Sequence, residues 1–409
     1  MRSPLRYALV IGIALVLGAC SGQNSGAGVP NSPSAQHVKP LGSRSPIQNL
    51  IVVIQRDRSF DNIFAGYPGA DAPTKGLTSK GTYVALKPAS LQTPACALRT
   101  NDLSYFKVAW DNGKMDGWNL LSRKHSLCPY TRLSNADRRP YWELAKQYAL
   151  ADHAFASTHY GSFVNMLYLI AGSTQLNQRT YVAGPPLMTS PWGGCDSPPG
   201  ARTTILKNGK IHLYGGPFPC FSFPTTAQQL DNASITWRYY YDSQTWNPYE
   251  AIAYVFEGSD WRTDMSYPPT NVLTDIVKGN LATVSFVQSE PSNSDVPGSC
   301  CGPKWVAAIA DALKNSQYWQ HSAMVVVWSD EGDGNFYDNV APPQLDPMGL
   351  GFRVPILAIS PYAKRGYVSH TTYEFGSILK FIEESYNLPF LSQFSTDRRA
   401  NSIADMFRF

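Results

Sequence analysis

Four short runs of the chain are almost continuously apolar and rich in β-branched residues. Residues 49–54 read Asn-Leu-Ile-Val-Val-Ile and residues 283–287 read Thr-Val-Ser-Phe-Val. Residues 323–328 read Ala-Met-Val-Val-Val-Trp and residues 353–359 read Arg-Val-Pro-Ile-Leu-Ala-Ile. Unbroken apolarity over so few residues predicts strands buried on both faces, as in a parallel sheet. Pro355 cannot donate to a ladder, which predicts that the last of these lies near an edge. Between the runs the period changes. Val306, Ile309, Ala310 and Leu313 fall on one helical face within residues 303–315, as do Phe375, Ile378, Leu379 and Ile382 within 373–386. Residues 140–150 predict a helix with Pro140 at its start, and the apolar run 163–170 predicts another. Strands alternating with helices predict an α/β fold on a mostly parallel sheet with right-handed crossovers.

Other stretches carry no such period. Residues 66–94 are rich in Gly, Pro, Thr and Ala and read as loops, and Asn112-Gly113 signals a turn. Residues 188–247 are dominated by Pro, Gly and aromatics, with a two-residue hairpin predicted at Asn208-Gly209. This stretch reads as an insertion or cap over a site. Its aromatics, Trp237, Tyr239, Tyr240, Tyr241 and Trp246, suit the packed face of a hairpin better than the lining of a cleft.

The strand ends carry the candidate chemistry. Residues 323–328 stop abruptly at Ser329-Asp330-Glu331-Gly332, and residues 49–54 at Gln55-Arg56-Asp57-Arg58-Ser59-Phe60-Asp61. In open α/β sheets, ligands collect beyond the carboxyl ends of the strands. Adjacent carboxylates there are costly unless a cation or proton neutralises them. Asp330 and Glu331 therefore read as a metal or phosphate-transfer site, or as an acidic turn in water. Ser162 stands before the apolar run 163–170, where its hydroxyl would sit near free N–H groups and the positive helix end. That suits a nucleophile attacking phosphorus, and equally an ordinary N-cap serine.

The beginning of the chain changes the compartment. Arg2 and Arg6 precede an apolar stretch, residues 7–17, too short to span a bilayer. Leu17-Gly18-Ala19-Cys20 follows, so residues 1–19 read as a signal and Cys20 as a lipidated first residue. Residues 20–45, rich in Ser, Gly, Pro and Asn, read as a flexible tether, and residues 46–409 as one domain. An exported, envelope-bound protein anchored to the membrane through this lipid is expected, most simply a monomer. The net charge is +4, from 34 basic and 30 acidic residues. Without Arg2 and Arg6 it is nearer +2 (4 − 2), which is no nucleic-acid signature. Six cysteines remain beyond Cys20 and allow fifteen pairings. Cys96–Cys128 and Cys195–Cys220 are the pairs expected. A bridge between adjacent Cys300 and Cys301 is sterically open but strained.

Several blocks together resemble one family. Asn112-Gly-Lys-Met-Asp-Gly117, Trp328-Ser-Asp-Glu-Gly, Asn335-Phe-Tyr-Asp-Asn-Val-Ala-Pro-Pro343, Gly351-Phe-Arg-Val-Pro355, Ile359-Ser-Pro-Tyr-Ala-Lys364 and Ser377-Ile-Leu-Lys-Phe-Ile-Glu383 occur in order. The chain resembles the bacterial phosphoesterase family of phospholipase C and acid phosphatase enzymes, within the alkaline phosphatase superfamily, from about residue 47 to 391. The resemblance implies an α/β/α sandwich, a divalent metal ion, and a serine that becomes phosphorylated during hydrolysis of a phosphate ester or phospholipid. Carried over by position, Ser162 is the nucleophile, with Asn165 three residues on as a substrate contact. Asp330 and Glu331 are the metal-binding pair, and His370 is a histidine of the site.

The departures from that pattern shape the expectation. The family's first block reads Gln-Glu-Asn-Arg-Ser-Phe-Asp-His, whereas here Arg56 replaces the Glu and Asp57 the Asn. A guanidinium cannot ligate a cation. Val296 and Asn339 stand where the family has histidines, and residues 102–110 contain none. His153 and His159 lie near Ser162 and could replace lost imidazoles, although satisfied structural histidines are the simpler reading. Three readings follow. Asp57 replaces the lost carboxylate as a metal ligand and Arg56 grips a phosphate oxygen in an active enzyme. Alternatively, Arg56 occupies the metal position in a weakened relative that binds phosphate esters. In the third, the fold serves a surface lipoprotein in interaction only.

Overall fold

The computed structural model describes residues 45–94, 96, 103–121, 126–186, 193–330 and 336–409. The signal, the tether and Cys20 lie outside the described residues, as does Glu331.

Eight strands form the main sheet. In chain order they are β1 (Asn49–Gln55), β2 (Ala149–Phe155), β3 (Trp237–Tyr240), β4 (Met265–Ser266), β5 (Val284–Gln288), β6 (Ser322–Trp328), β7 (Arg353–Ile359) and β8 (Tyr367–Ser369). Their spatial order is β4-β3-β5-β1-β6-β7-β2-β8. Every neighbouring pair is parallel except the two made by β7, which runs against both β6 and β2. Seven strands therefore end at one edge, and β7 begins there. β6 and β7 are buried at every position, and β1 at every position but its first. Helices flank both faces. Gly302–Lys314 packs on Asn135–Gln147 and Asn271–Lys278, while Ser162–Ala171 packs on Phe375–Tyr386 and Thr226–Asn232. The fold is α/β, a mostly parallel sheet between helical layers.

Three sequence expectations are corrected. The helix expected over 140–150 is Asn135–Gln147, with Pro140 inside its first two turns and Ser134 as N-cap. The residues that follow form β2 rather than a helix end. Small, mixed Ala149-Leu-Ala-Asp-His-Ala-Phe155 has neither strict alternation nor β-branched content, so its pattern is silent. Pro355 does not mark an edge, since β7 lies between β6 and β2. The ladder to β2 shifts register between Val354 and Ile356, and that bulge accommodates the missing donor. Finally, Trp237, Tyr239 and Tyr240 are not a hairpin face. They belong to β3 and are buried against the core, beside β5. The hairpin at Asn208-Gly209 does form, within a separate four-stranded antiparallel sheet that begins at Gln175.

The cysteines pair as Cys96–Cys128, Cys195–Cys220 and Cys300–Cys301. Among the described residues no helix is long and apolar enough to cross a membrane.

Candidate active site at the carboxyl edge of the sheet

The parallel strands deliver their following residues to one edge. β1 is followed by Arg56 and Asp57, β6 by Ser329 and Asp330, β5 ends in Gln288, and β2 leads through residues 156–161 to Ser162. The β1 and β6 exits are tied together. Ser329 N–H donates to the Gln55 carbonyl at 2.9 Å, and Asp57 N–H donates to Asp330 Oδ1 at 3.3 Å. Ser329 Oγ lies 3.0 Å from Asp330 Oδ2, and Asp330 is fully buried. Asp57 holds a left-handed backbone with φ 64°, a conformation concentrated at functional sites when the residue is not glycine.

Ser162 opens the helix Ser162–Ala171 but does not cap it. The N-cap is Gly161, with φ 80° and ψ 178°, and no side-chain cap bond is made. That backbone region is open essentially to glycine alone. The turn before it is fixed by Asn165. Thr158 N–H donates to Asn165 Oδ1 at 3.0 Å, and Asn165 Nδ2 donates to the Thr158 carbonyl at 2.8 Å. Asn165, expected as a substrate contact, is 1% exposed and its amide is engaged in this staple. Its observed action on Ser162 is through the shape of the turn.

Arg56 and Ser162 line the same cavity, of about 330 Å3. Its other walls are mainly apolar, from Phe163, Met166, Pro185 and Trp246. Phe163 and Trp246 pack with ring centroids 4.6 Å apart. Gln288 closes one side and holds the turn above it. It accepts from Tyr239 OH at 2.7 Å and donates to the Trp246 carbonyl at 2.9 Å. Trp246 is thus a cleft residue, although Trp237, Tyr239 and Tyr240 of the same stretch belong to the core. Asn247 and Glu250 form a capping box behind this turn. Burial pushes the Glu250 carboxyl up to about 8.

His370 is not part of this cavity's lining. Its side chain is 62% exposed, and Nδ1 lies 3.0 Å from both oxygens of the buried Asp152. His153 stands nearby, 3.7 Å from Asp71, with its ring 6.3 Å from that of His370. His159 is stacked between Phe106 and Tyr160 at 4.5 and 4.6 Å. Burial, with a smaller push from Lys107, lowers it to about 4, so it is a neutral structural histidine.

A buried ionic cluster that sequence reading missed braces the edge. Arg353, the first residue of β7, has no exposed surface. Its Nε donates to Asp338 at 2.9 Å, and its two terminal nitrogens reach Asp61, Asn339 and the carbonyls of Asp71 and Asp152 at 2.8–3.1 Å. All five N–H donors are used. Burial alone would lower the guanidinium, but Asp338 and Asp61 raise it above its ordinary value. Burial and then Asp338 push Asp61 well above the usual carboxylate range. The visible signal was an arginine opening a strand buried on both faces. Asn339, at a position where a family histidine was expected, serves this brace.

A resident divalent ion can be tested against these donors. Such an ion needs several oxygen or nitrogen ligands converging on one point. Among the described residues, the only group of three candidate ligand atoms that close together is Cys195, Cys220 and Glu257, and its two sulfurs are joined in a disulfide. Asp57 and Asp330, the described members of the expected metal set, meet through a hydrogen bond, beside an arginine. Glu331, the remaining member of the expected metal set, lies outside the described residues.

The profile of the phosphoesterase family matches residues 47–389, and the chain belongs to that family. It is 23% identical to a non-hemolytic phospholipase C of Pseudomonas aeruginosa, over 85% of this chain and 55% of that protein. It is 22% identical to phospholipase C A of Mycobacterium tuberculosis, over 85% of this chain and 74% of that one. The chain thus spans little more than half the length of the Pseudomonas relative. Among solved structures, a protein in the alkaline phosphatase superfamily from Vibrio parahaemolyticus superposes with a TM-score of 0.40 at 10% identity, covering 87% of this chain and 71% of that one. The lipoteichoic acid synthase LtaP from Listeria monocytogenes gives 0.42 at 11% identity, covering 89% and 80%.

Proposed function

We propose that the protein hydrolyses phosphate esters of apolar alcohols in the cavity shared by Ser162 and Arg56. The observation that carries this is that one cavity holds a hydroxyl at a helix start, a guanidinium, and apolar walls. Arg56 would bind phosphoryl oxygens through its planar fork. The first N–H groups of the helix face the same negative charge. Ser162 Oγ would attack phosphorus, forming an Oγ–P bond as the bond to the alcohol oxygen breaks, and the hydroxyl proton would end on the departing alcohol. Water would then displace Oγ, returning serine and releasing free phosphate from a monoester or a phosphomonoester from a diester. The alcohol's apolar part would lie against Phe163, Met166 and Trp246. Relatives named phospholipase C agree with such a substrate.

Export and lipid anchoring through Cys20 belong to the same reading. Three disulfides suit an oxidising compartment. A second reading, a protein that binds phosphate esters without turnover, is favoured by Arg56 standing where the family resemblance implies a metal ligand. Turnover of p-nitrophenyl phosphate, its diester analogue and phosphatidylcholine separates the two. Hydrolysis that Ser162→Ala reduces at least ~1000-fold supports the enzyme, in line with the loss of a nucleophile. Equal rates in the wild type and Ser162→Ala would refute it.

A further inference from the structure

We infer that the protein docks on an anionic phospholipid surface through the exposed edge of its four-stranded antiparallel sheet, residues 207–214. The inference goes beyond the proposed hydrolysis and does not require it. The strands of that sheet are Gln175–Asn177, Thr180–Pro186, Thr203–Lys207 and Lys210–His212, and the last is an edge strand that pairs only with the third. This edge and the turn after it carry Ile211, Leu213 and Tyr214, which are 37%, 71% and 42% exposed. Three large apolar side chains within four residues, held away from the core by a hairpin, mark an interaction surface. The charge around them selects the partner. Residues 175–217 contain Arg179, Arg202, Lys207 and Lys210 against one carboxylate, Asp196, a balance of +3 (4 − 1). All four cationic residues are exposed. Cations beside exposed apolar side chains match a lipid surface, where the apolar groups enter the acyl boundary and the cations meet phosphates. Pairing of this edge with another chain is opposed by Lys207 and Lys210, which face each other across the ladder. The surface also adjoins the cavity. Gly216 N–H donates to the Thr203 carbonyl at 2.8 Å, Thr203 pairs with Pro186, and Pro185 is part of the cavity wall. Two strand spacings, about 10 Å, separate the edge from that wall. The Cys195–Cys220 bridge closes the loop that carries the hairpin, so little order remains to be lost on docking.

The test is vesicle flotation with the full chain carrying Cys20→Ser, so that no acyl group at that residue contributes and the N-terminal region is common to all variants. The vesicles are phosphatidylcholine alone or mixed with phosphatidylglycerol. Binding is expected to be tighter on the mixed vesicles and to weaken there as salt rises. Leu213→Ser is expected to weaken it by about 10-fold, the size of one leucine's burial. Lys207→Gln and Lys210→Gln are each expected to weaken it roughly fivefold, on the mixed vesicles alone. Val277→Ser removes a side chain 78% exposed on the helix Asn271–Lys278, and is expected to change nothing. Undiminished binding by Leu213→Ser would overturn the inference, as would an equal loss in Val277→Ser. So would a dimer in the absence of vesicles that Leu213→Ser dissociates, since a second copy would then occupy this edge. None of the substituted residues lines the cavity, so turnover of p-nitrophenyl phosphate is expected to be the same in all of them. The two readings fail separately. Vesicle binding that Leu213→Ser weakens, without turnover of any ester, would end the hydrolase reading and keep this one. Turnover with vesicle binding that none of these substitutions alters would do the reverse.

Discussion

Replacing Arg353 by Met tests how the active edge is held. The guanidinium has zero exposure, five hydrogen bonds and two carboxylate partners, and its central carbon lies over the Phe60 ring, 4.5 Å from the centroid. Met fills much of the stem's volume but leaves Asp61 and Asp338 buried beside each other with no counterion. Removing one partner of a buried ion pair typically costs about 3–5 kcal/mol. The loss here is expected near the upper end, since two carbonyls and the Asn339 side chain also lose a donor. The penalty carries a pH signature. Both carboxyls are already raised above the ordinary 3.8, chiefly by burial, while Arg353 holds them down, so its removal raises them further. A raised carboxyl contributes stability below its unfolded value and loses it as pH rises. The deficit of Arg353→Met should therefore be smaller at pH 4.5 than at pH 8. Urea unfolding at the two pH values measures both quantities. Adding Asp61→Asn and Asp338→Asn should recover a large part of the loss at pH 8. A single-variant deficit under about 1 kcal/mol, or one that grows towards acid, would refute the reasoning.

Glu250→Gln should leave stability unchanged near pH 4.5 and raise it at pH 9 by on the order of 3 kcal/mol. The native carboxyl titrates at about 8 against 4.5 unfolded, so its contribution is present below 4.5 and lost as pH rises through 8. Unfolding titrations at the two pH values check this. Gly161→Ala places a Cβ at φ 80°, ψ 178° and should cost about 1–3 kcal/mol. It should also lower turnover more than it lowers stability, because the helix start that carries Ser162 must shift. Equal, small changes in both would count against a positioning turn.

Much of the scaffold is legible before folding because central parallel strands bury both faces. β1, β5, β6 and β7 were readable from β-branched runs, and the helices behind them from their 3.6-residue period. β2 was not, since Ala149–Phe155 is small and mixed, and its strand state comes from pairing on both sides with β7 and β8. The same limit applies to Trp237–Tyr240. Aromatics identify burial but not which surface does the burying.

What the amino-acid order determined by itself was the class of fold and the neighbourhood of the chemistry. Polar clusters that end buried strands have nowhere to go but the sheet's edge. Only tertiary structure decided which of those groups meet. It put Arg56 with Ser162, kept His370 apart on Asp152, and turned Asn165 inward to pin a loop. It also gathered Asp61, Asp338 and Arg353 into one brace. Contacts between residues hundreds of positions apart depend on strand order and direction, above all on β7 running against its neighbours. No local pattern encodes that reversal.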